Sequence, residues 1–329
     1  KWLHGDREIA SKIRLVVIDD EADQASINTC LMNVQDVEEE NIDRTIINNL
    51  VVNLVANKLP PSSGGRLSDC PISSISYLSY TATPYANIFI PNDIRVATEE
   101  LGNDLFPADC IISLPKPYRY IGANEFFGYG VDNDEIKPMP LIRKITETNF
   151  VNTRKKTVGD LPDSLKYAMK CFLISIAVRN CRGEINKPNT MLIHVARIKN
   201  MQEMLERKVR DYFCNELQPM IIDGDRETKE EIYRIMKNDY VPTTNSMIND
   251  FRRYMEGAEN FSLDEVYQEI LRLMNDEKIR INVINGNSKD SLAYKEHEGE
   301  EYNVIAIGGD KFSRGLTLEG LSISYFTRE

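Results

Sequence analysis

Two periods of apolar residues alternate along this chain. Residues 14–19 (RLVVID) form a short apolar run ending in acids, which predicts a buried strand whose C-terminal end lies at a site. In residues 41–59, Ile42, Ile46, Ile47, Leu50, Val51, Leu54 and Val55 recur at helical spacing, and Pro60 and Pro61 stop the helix. A loop rich in Pro, Ser and Gly follows at 61–65, then a second strand at 75–80 and the turn TATP at 81–84. Strands alternating with helices imply a parallel sheet covered on both faces.

Residues 92–160 are less regular and rich in Pro, Gly and Asn, with Arg154, Lys155 and Lys156 near the end. They read as the tail of a first domain plus a connector. Residues 165–178 predict a buried helix, 190–195 (TMLIHV) a strand opening a second domain, and 198–217 an amphipathic helix with Met201, Met204, Leu205, Tyr212 and Phe213 on its apolar face. Between 226 and 274 lie three further helical patterns and no strand, the last with a capping box from Ser262 and Glu265. Strand character returns at 278–285, 302–307 and 321–326. The expected fold is therefore α/β. A first domain spans 1–115, a connector 116–160, and a second domain 161–329 with a helical insertion at about 220–277.

Composition narrows the class. A chain of 329 residues that is 42% hydrophobic can bury two ordinary cores. No apolar run approaches the ~20 residues needed to span a bilayer, so no membrane role is expected. Residues 1–12 are polar and mixed in charge, unlike a signal peptide, and the missing initiator Met suggests an excised fragment. Cys30, Cys70, Cys110, Cys171, Cys181 and Cys214 form no CxxC pair and only three histidines are present, which argues against a structural zinc site. Scattered cysteines without a signal read as reduced thiols in the cytoplasm. The net charge of −11 excludes a protein coated in basic surface. It leaves room for a local groove, whose grip on nucleic acid would be weak and salt-sensitive.

Three segments carry candidate chemistry. In VVIDDEAD (16–23), a strand ends in acids. Asp20 is placed to hold magnesium through water, Glu21 to orient or deprotonate an attacking water, and Asp23 to couple to later segments. The bland alternative is an acidic strand end entering a solvated turn. In SYTATP (79–84), the hydroxyls of Thr81 and Thr83 follow an apolar strand and can bond the acidic cluster; the alternative is an ordinary turn closed by Pro84. In IGGDKFSRGLTLEG (307–320), glycines let the backbone approach phosphate and Arg314 can meet phosphate or acid. Here the alternative is a glycine-rich loop with one solvated arginine.

Taken in order, Asp20-Glu-Ala-Asp23, Thr81-Ala-Thr83 and Ser313-Arg-Gly315 resemble motifs two, three and five of superfamily-two helicases. The wider pattern is similar to the Z1 domain family of endonucleases, through TATPYANIFIP (81–91), LFPADCIISL (105–114), MLIHVAR (191–197) and GGDKFSRGLTLEGL (308–321), nearly the whole chain. The resemblance implies two RecA-like parallel-sheet lobes, helicase-like, with ATP and Mg2+ in the cleft between them. It also implies DNA as partner, and proteins of a restriction or anti-phage defence system. It assigns Asp20 and Glu21 to Mg-ATP and water, Thr81 and Thr83 to coupling, and Gly308, Gly309, Ser313, Arg314 and Gly315 to the cleft or the nucleic-acid backbone. Thr317 takes the position of a ribose contact. Two departures stand out. The chain contains no GxxxxGK[ST] loop, and it stops before the position where such motors carry their final arginines, so the expectation is that this chain alone does not hydrolyse ATP.

Two other readings stay open. One is a nucleotide-gated interaction module that does not translocate, which the acidic balance favours. The other is direct metal-dependent cleavage, for which Asp132, Asp134, Glu135 and Lys137, or Asp225, Glu227 and Lys229, distantly match a nuclease D…ExK pattern. His194 reads as a core histidine at a strand end.

Overall fold

A computed structural model describes residues 7–24, 26–28, 45–59, 68–69, 72–90, 104–118, 120–131, 134–147, 150–195, 198–255, 261–284, 294–309 and 317–327. The protein is mixed α/β with parallel sheets. It divides into two compact units, Lys1–Pro115 and Lys116–Glu329.

In the first unit, β1 (Arg14–Asp20) and β2 (Ser74–Tyr80) pair in parallel, with Val16 opposite Ser76 and Ile18 opposite Leu78. Helix α1 (Ile46–Val55) starts at Thr45, whose side chain accepts the Asn48 N–H. Its Val51, Val52 and Val55 pack with Tyr77, Ile90, Leu105 and Phe106. A four-residue helix, α2 (Tyr85–Ile88), follows the TATP turn. The strands depart from the expectation of a buried run in a sheet covered on both faces. Burial alternates strictly along both, and Val16 (60%), Ile18 (63%) and Leu78 (45%) are exposed. A run of β-branched residues fixes the strand but not the number of layers. Among the described residues α1 packs beside the row that carries Tyr77, and the row of Val16, Ile18 and Leu78 is left exposed.

The second unit holds a four-stranded parallel sheet of β3 (Asn189–His194), β4 (Ile279–Ile284), β5 (Asn303–Gly308) and β6 (Leu321–Phe326), in the order β4-β5-β3-β6. Between β2 and β3 lie α3 (Ala123–Phe127) and α4 (Asp163–Cys181). After β3 come α5 (Lys199–Asp211), α6 (Gln218–Ile222), α7 (Arg226–Ile235), α8 (Val241–Asp250) and α9 (Leu263–Asn275). Met191, Ile193, Ile281, Ile305 and Ile307 meet α4, α5 and α9 on one face of the sheet. Ile284, Val304 and Ala306 meet Tyr294, Tyr302 and Leu318 on the other. Every residue of β5 is therefore buried. Ile221, Ile232, Met236, Val266 and Ile270 join the same core as the sheet, so the helices expected as an insertion form part of its covering layer. The amphipathic pattern through 217 holds, but it widens into a π-helical turn at Tyr212–Leu217 that keeps Tyr212, Phe213 and Leu217 buried. Burial pushes the Cys171 thiol up to about 12, which makes it an inert core group.

Glu125, 2% exposed in α3, was not legible beforehand. Its carboxylate pairs with Lys116, accepts the Gly122 N–H (2.9 Å) and the Tyr254 hydroxyl (3.1 Å), and lies 3.7 Å from the Arg253 guanidinium. The Lys116 contact first, and then the Gly122 N–H, hold the carboxyl down at about 2, against an ordinary 4.5. A depressed value stabilises the fold fully above pH 4.5 and loses that contribution as pH falls toward 2. Glu125→Gln is expected to cost about 2–3 kcal/mol at neutral pH and to flatten that acid limb. Urea titrations between pH 2 and 7 check both; an unchanged midpoint at neutral pH would refute the pairing.

Candidate functional site

Strand β1 ends where Glu21 takes a left-handed backbone, φ 56°. A non-glycine residue there carries roughly 1–2 kcal/mol of strain, so surrounding bonds must hold it. The Glu21 N–H reaches Asp20 Oδ1 (3.0 Å), the Ala22 N–H reaches the Tyr80 carbonyl (3.0 Å) and the Gln24 N–H returns to the Glu21 carbonyl (3.0 Å). Two buried amides tie the segment down from outside. Asn87 in α2 donates to the Ala22 carbonyl (3.1 Å), and Asn48 in α1 donates to the Ser26 carbonyl (2.7 Å) and to Asp104 (2.9 Å).

Asp23 meets the TATP turn through both carboxylate oxygens. The Thr81 hydroxyl donates to Oδ1 (2.8 Å) and the Thr83 hydroxyl to Oδ2 (2.6 Å), while the Thr83 N–H donates to Thr81 Oγ1 (2.9 Å). The Thr83 bond, and after it the Thr81 bond, draw the Asp23 carboxyl below its ordinary value despite some burial. Asp23 is thus an ionised, fully engaged bridge. Asp20, by contrast, is exposed, and no described residue bonds its second oxygen or the Glu21 carboxylate. One row back, the Tyr77 hydroxyl donates to Asp19 (2.7 Å); burial, reinforced by that carboxylate, raises the phenol well above its usual range. Asp20, Glu21, Asp23, Thr81 and Thr83, widely separated in sequence, therefore occupy one turn-on-turn cluster. Sequence reasoning missed Asn87, Asn48 and Tyr77, because amide and phenol ties to backbone or acid have no spacing signature.

In the second unit, Gly308 closes β5 and Gly309 follows it, both buried. Thr317 is exposed. Ser313, Arg314 and Gly315 lie outside the described residues. A cleft of about 510 Å³ lined by Asp276, Glu277, Lys278, Arg280, Glu300 and Glu301 sits at the opposite edge of this sheet, where β4 and β5 begin. Ligands of open parallel sheets bind beyond the carboxyl ends of the strands, so this mixed-charge cleft is at the wrong edge for the glycine segment.

The nuclease-like patterns fare differently. Asp225 caps α7 by accepting the Thr228 N–H (2.8 Å), and the Lys229 ammonium lies over the rings of Tyr267 (4.8 Å) and Tyr233 (5.8 Å). These are structural duties. Asp132 lies outside the described residues, the backbone at Asp134–Ile136 forms a short hairpin strand where none was expected, and Lys137 pairs with Asp250 (2.9 Å). Among the described residues no group of three or more His, Cys, Asp or Glu could hold a metal ion, and no helix is long and apolar enough to cross a membrane.

A parallel α/β protein with an acid turn clamped by two threonines, and a separate unit whose central strand ends in paired glycines, defines the class. Comparison narrows it to a family. The Z1 domain profile matches residues 164–329, half of the chain, and the protein belongs to the Z1 domain family. The match takes in the four-stranded sheet and α4 through α9, while the acid turn lies before it. No curated protein and no solved structure matches the chain.

Proposed function

We propose that this Z1 protein is part of a helicase-like, ATP-dependent DNA-processing motor serving an endonuclease of a restriction or anti-phage system in the cytoplasm. The observation that carries the reading is the Asp23 carboxylate shared by Thr81 and Thr83 beside an exposed Asp20 and a half-buried Glu21. Such an arrangement ties the state of an acid turn to the segment that follows the neighbouring strand. The donor set suits magnesium. Among the described residues nothing bonds the second Asp20 oxygen, and an ion that keeps most of its own water needs few protein ligands. Bound there, magnesium would neutralise phosphate charge. Asp20 orients the hydrated site, and Glu21, whose carboxylate no described residue bonds, accepts a proton from a water. Asp23, Thr81 and Thr83 transmit movement of the turn. In this scheme the chain's two units are RecA-like lobes, and Gly308, Gly309, Ser313, Arg314, Gly315 and Thr317 serve nucleotide or nucleic acid from the second.

Because the chain contains no GxxxxGK[ST] loop, the scheme requires a phosphate cradle from outside these 329 residues. The test is ATP hydrolysis by the assembled system with and without DNA. DNA should stimulate the rate, and Asp20→Ala should remove the stimulation. Nucleotide binding without any DNA effect would instead support the second reading, an interaction module gated by nucleotide, which the net charge of −11 favours.

A further inference from the structure

The stretch that leads into α4 contains a feature that the reading above does not use. Val151–Asn152 and Thr157–Val158 pair as an antiparallel hairpin, Val151 opposite Val158 and Asn152 opposite Thr157. Its base is firmly mounted. Phe150 and Val158 pack on the core of the second unit, and the Gly159 N–H donates to the Phe150 carbonyl (2.6 Å). Its tip has a defined shape. The Asn152 side chain accepts the Lys155 N–H (2.9 Å), and Lys156 takes a left-handed backbone, φ 53°. Glycine would make that turn without strain, so backbone shape alone does not account for a lysine there.

Arg154, Lys155 and Lys156 are all exposed at this tip. Among the described residues no carboxylate pairs with any of the three. Elsewhere in the same unit cations meet acids: Lys137 with Asp250, Lys170 with Glu231, Arg226 with Glu230 and Arg272 with Glu301. The acids that flank the hairpin in sequence are engaged away from the tip. Asp160 pairs with Lys208 of α5 (3.2 Å), and Glu147 accepts the Ser164 N–H at the start of α4 (3.0 Å). Three adjacent like charges repel one another, and a polyanion laid across them removes that repulsion. The acidic balance of the chain does not oppose this. Residues 1–115 carry 8 Lys and Arg against 17 Asp and Glu, whereas residues 116–329 carry 32 against 34. The unit that bears the hairpin is thus close to neutral. The other residues exposed at the tip are Asn152, Thr153 and Thr157. Such a tip has no apolar centre of the kind that protein interfaces bury. Cationic, hydroxyl and amide donors are instead the set that holds phosphate oxygens.

We propose that the hairpin tip, through Arg154, Lys155 and Lys156, grips the phosphate backbone of a nucleic acid without reading its bases. The choice of nucleic acid as the polyanion rests on the motor reading; the tip itself does not. The test is fluorescence anisotropy of a labelled DNA duplex and of labelled oligo(dT), titrated with the whole chain at several KCl concentrations. Each phosphate contact releases counterions, so affinity should fall steeply with salt and show no sequence preference. Replacing Arg154, Lys155 and Lys156 together by Gln should weaken binding and flatten the slope of log affinity against log salt by about 2–3. Lys156→Gly relieves the left-handed backbone, so it should fold at least as well as the parent, yet lower that slope by about one. Lys155→Arg keeps the charge and should leave the slope unchanged. The duplex and oligo(dT) arms show which form of the backbone is held. A triple variant with the parent's affinity and slope overturns the proposal and leaves the motor reading standing. No binding of either probe at low salt also overturns it. So does a triple variant that loses affinity for phosphatidylserine vesicles but not for DNA, which would assign the tip to a lipid surface. A hairpin-dependent slope, in an assembled system whose ATP hydrolysis ignores DNA, supports the hairpin and removes the motor reading.

Discussion

Gly320→Ala is expected to destabilise the protein by about 3 kcal/mol or more, with β6 detaching from the sheet. Gly320 has φ 63°, a conformation that L side chains rarely adopt. The greater obstacle is spatial. A Cβ at this position would lie 1.8 Å from the carbonyl oxygen of Pro188 and 2.6 Å from its carbon, and both are backbone atoms that no rotamer change can move. The residue cannot simply retreat either. Its own carbonyl accepts the Thr190 N–H (3.0 Å), and the preceding Glu319 carbonyl accepts the Thr190 hydroxyl (2.7 Å), so the turn into β6 is fastened to the start of β3. Urea unfolding followed by circular dichroism checks this. A midpoint within about 0.5 kcal/mol of the parent, the scatter of ordinary surface changes, would show that the close approach to Pro188 is wrong.

Glu21 separates strain from chemistry. Under the proposed motor, Glu21→Gln preserves side-chain size and the left-handed backbone but removes the proton acceptor, and ATP hydrolysis is expected to fall about a hundredfold or more. Glu21→Gly also removes the carboxylate, but it relieves the positive φ, so it should gain about 1 kcal/mol of stability or break even while losing the same activity. Steady-state hydrolysis by the assembled system, beside thermal unfolding of this chain, reads the two effects separately. Hydrolysis retained by the glutamine variant would remove Glu21 from the reaction. A glycine variant less stable than the parent would mean that the side chain has a structural duty.

The regular elements were legible where apolar period and punctuation agreed. The six strands of the two parallel sheets and α4 stand close to where short apolar runs and helical spacing put them, because β-branched runs ending in acid or glycine have few other uses. The covering layers were less so. Val16 and Ile18 read as core because periodicity cannot count the elements available to lie on them. At the acid turn, residue types suggested Asp20, Glu21, Asp23, Thr81 and Thr83, and their assembly follows from pairing β1 with β2 in register. Three features had no sequence signal: the left-handed Glu21, the Asn87 tie to Ala22, and the burial of Glu125 under residues more than a hundred positions away. Each depends on where distant backbone happens to pass.

The open row of Val16, Ile18 and Leu78 has one more consequence. A two-stranded ribbon with one oily side in water has little to resist local fraying, and amide exchange there should outrun exchange in β5. The acid turn is mounted on that ribbon. Its order is then tied to the ribbon, so in the same exchange experiment the amides of Ala22 and Gln24 should open together with β1 and β2 and ahead of β5.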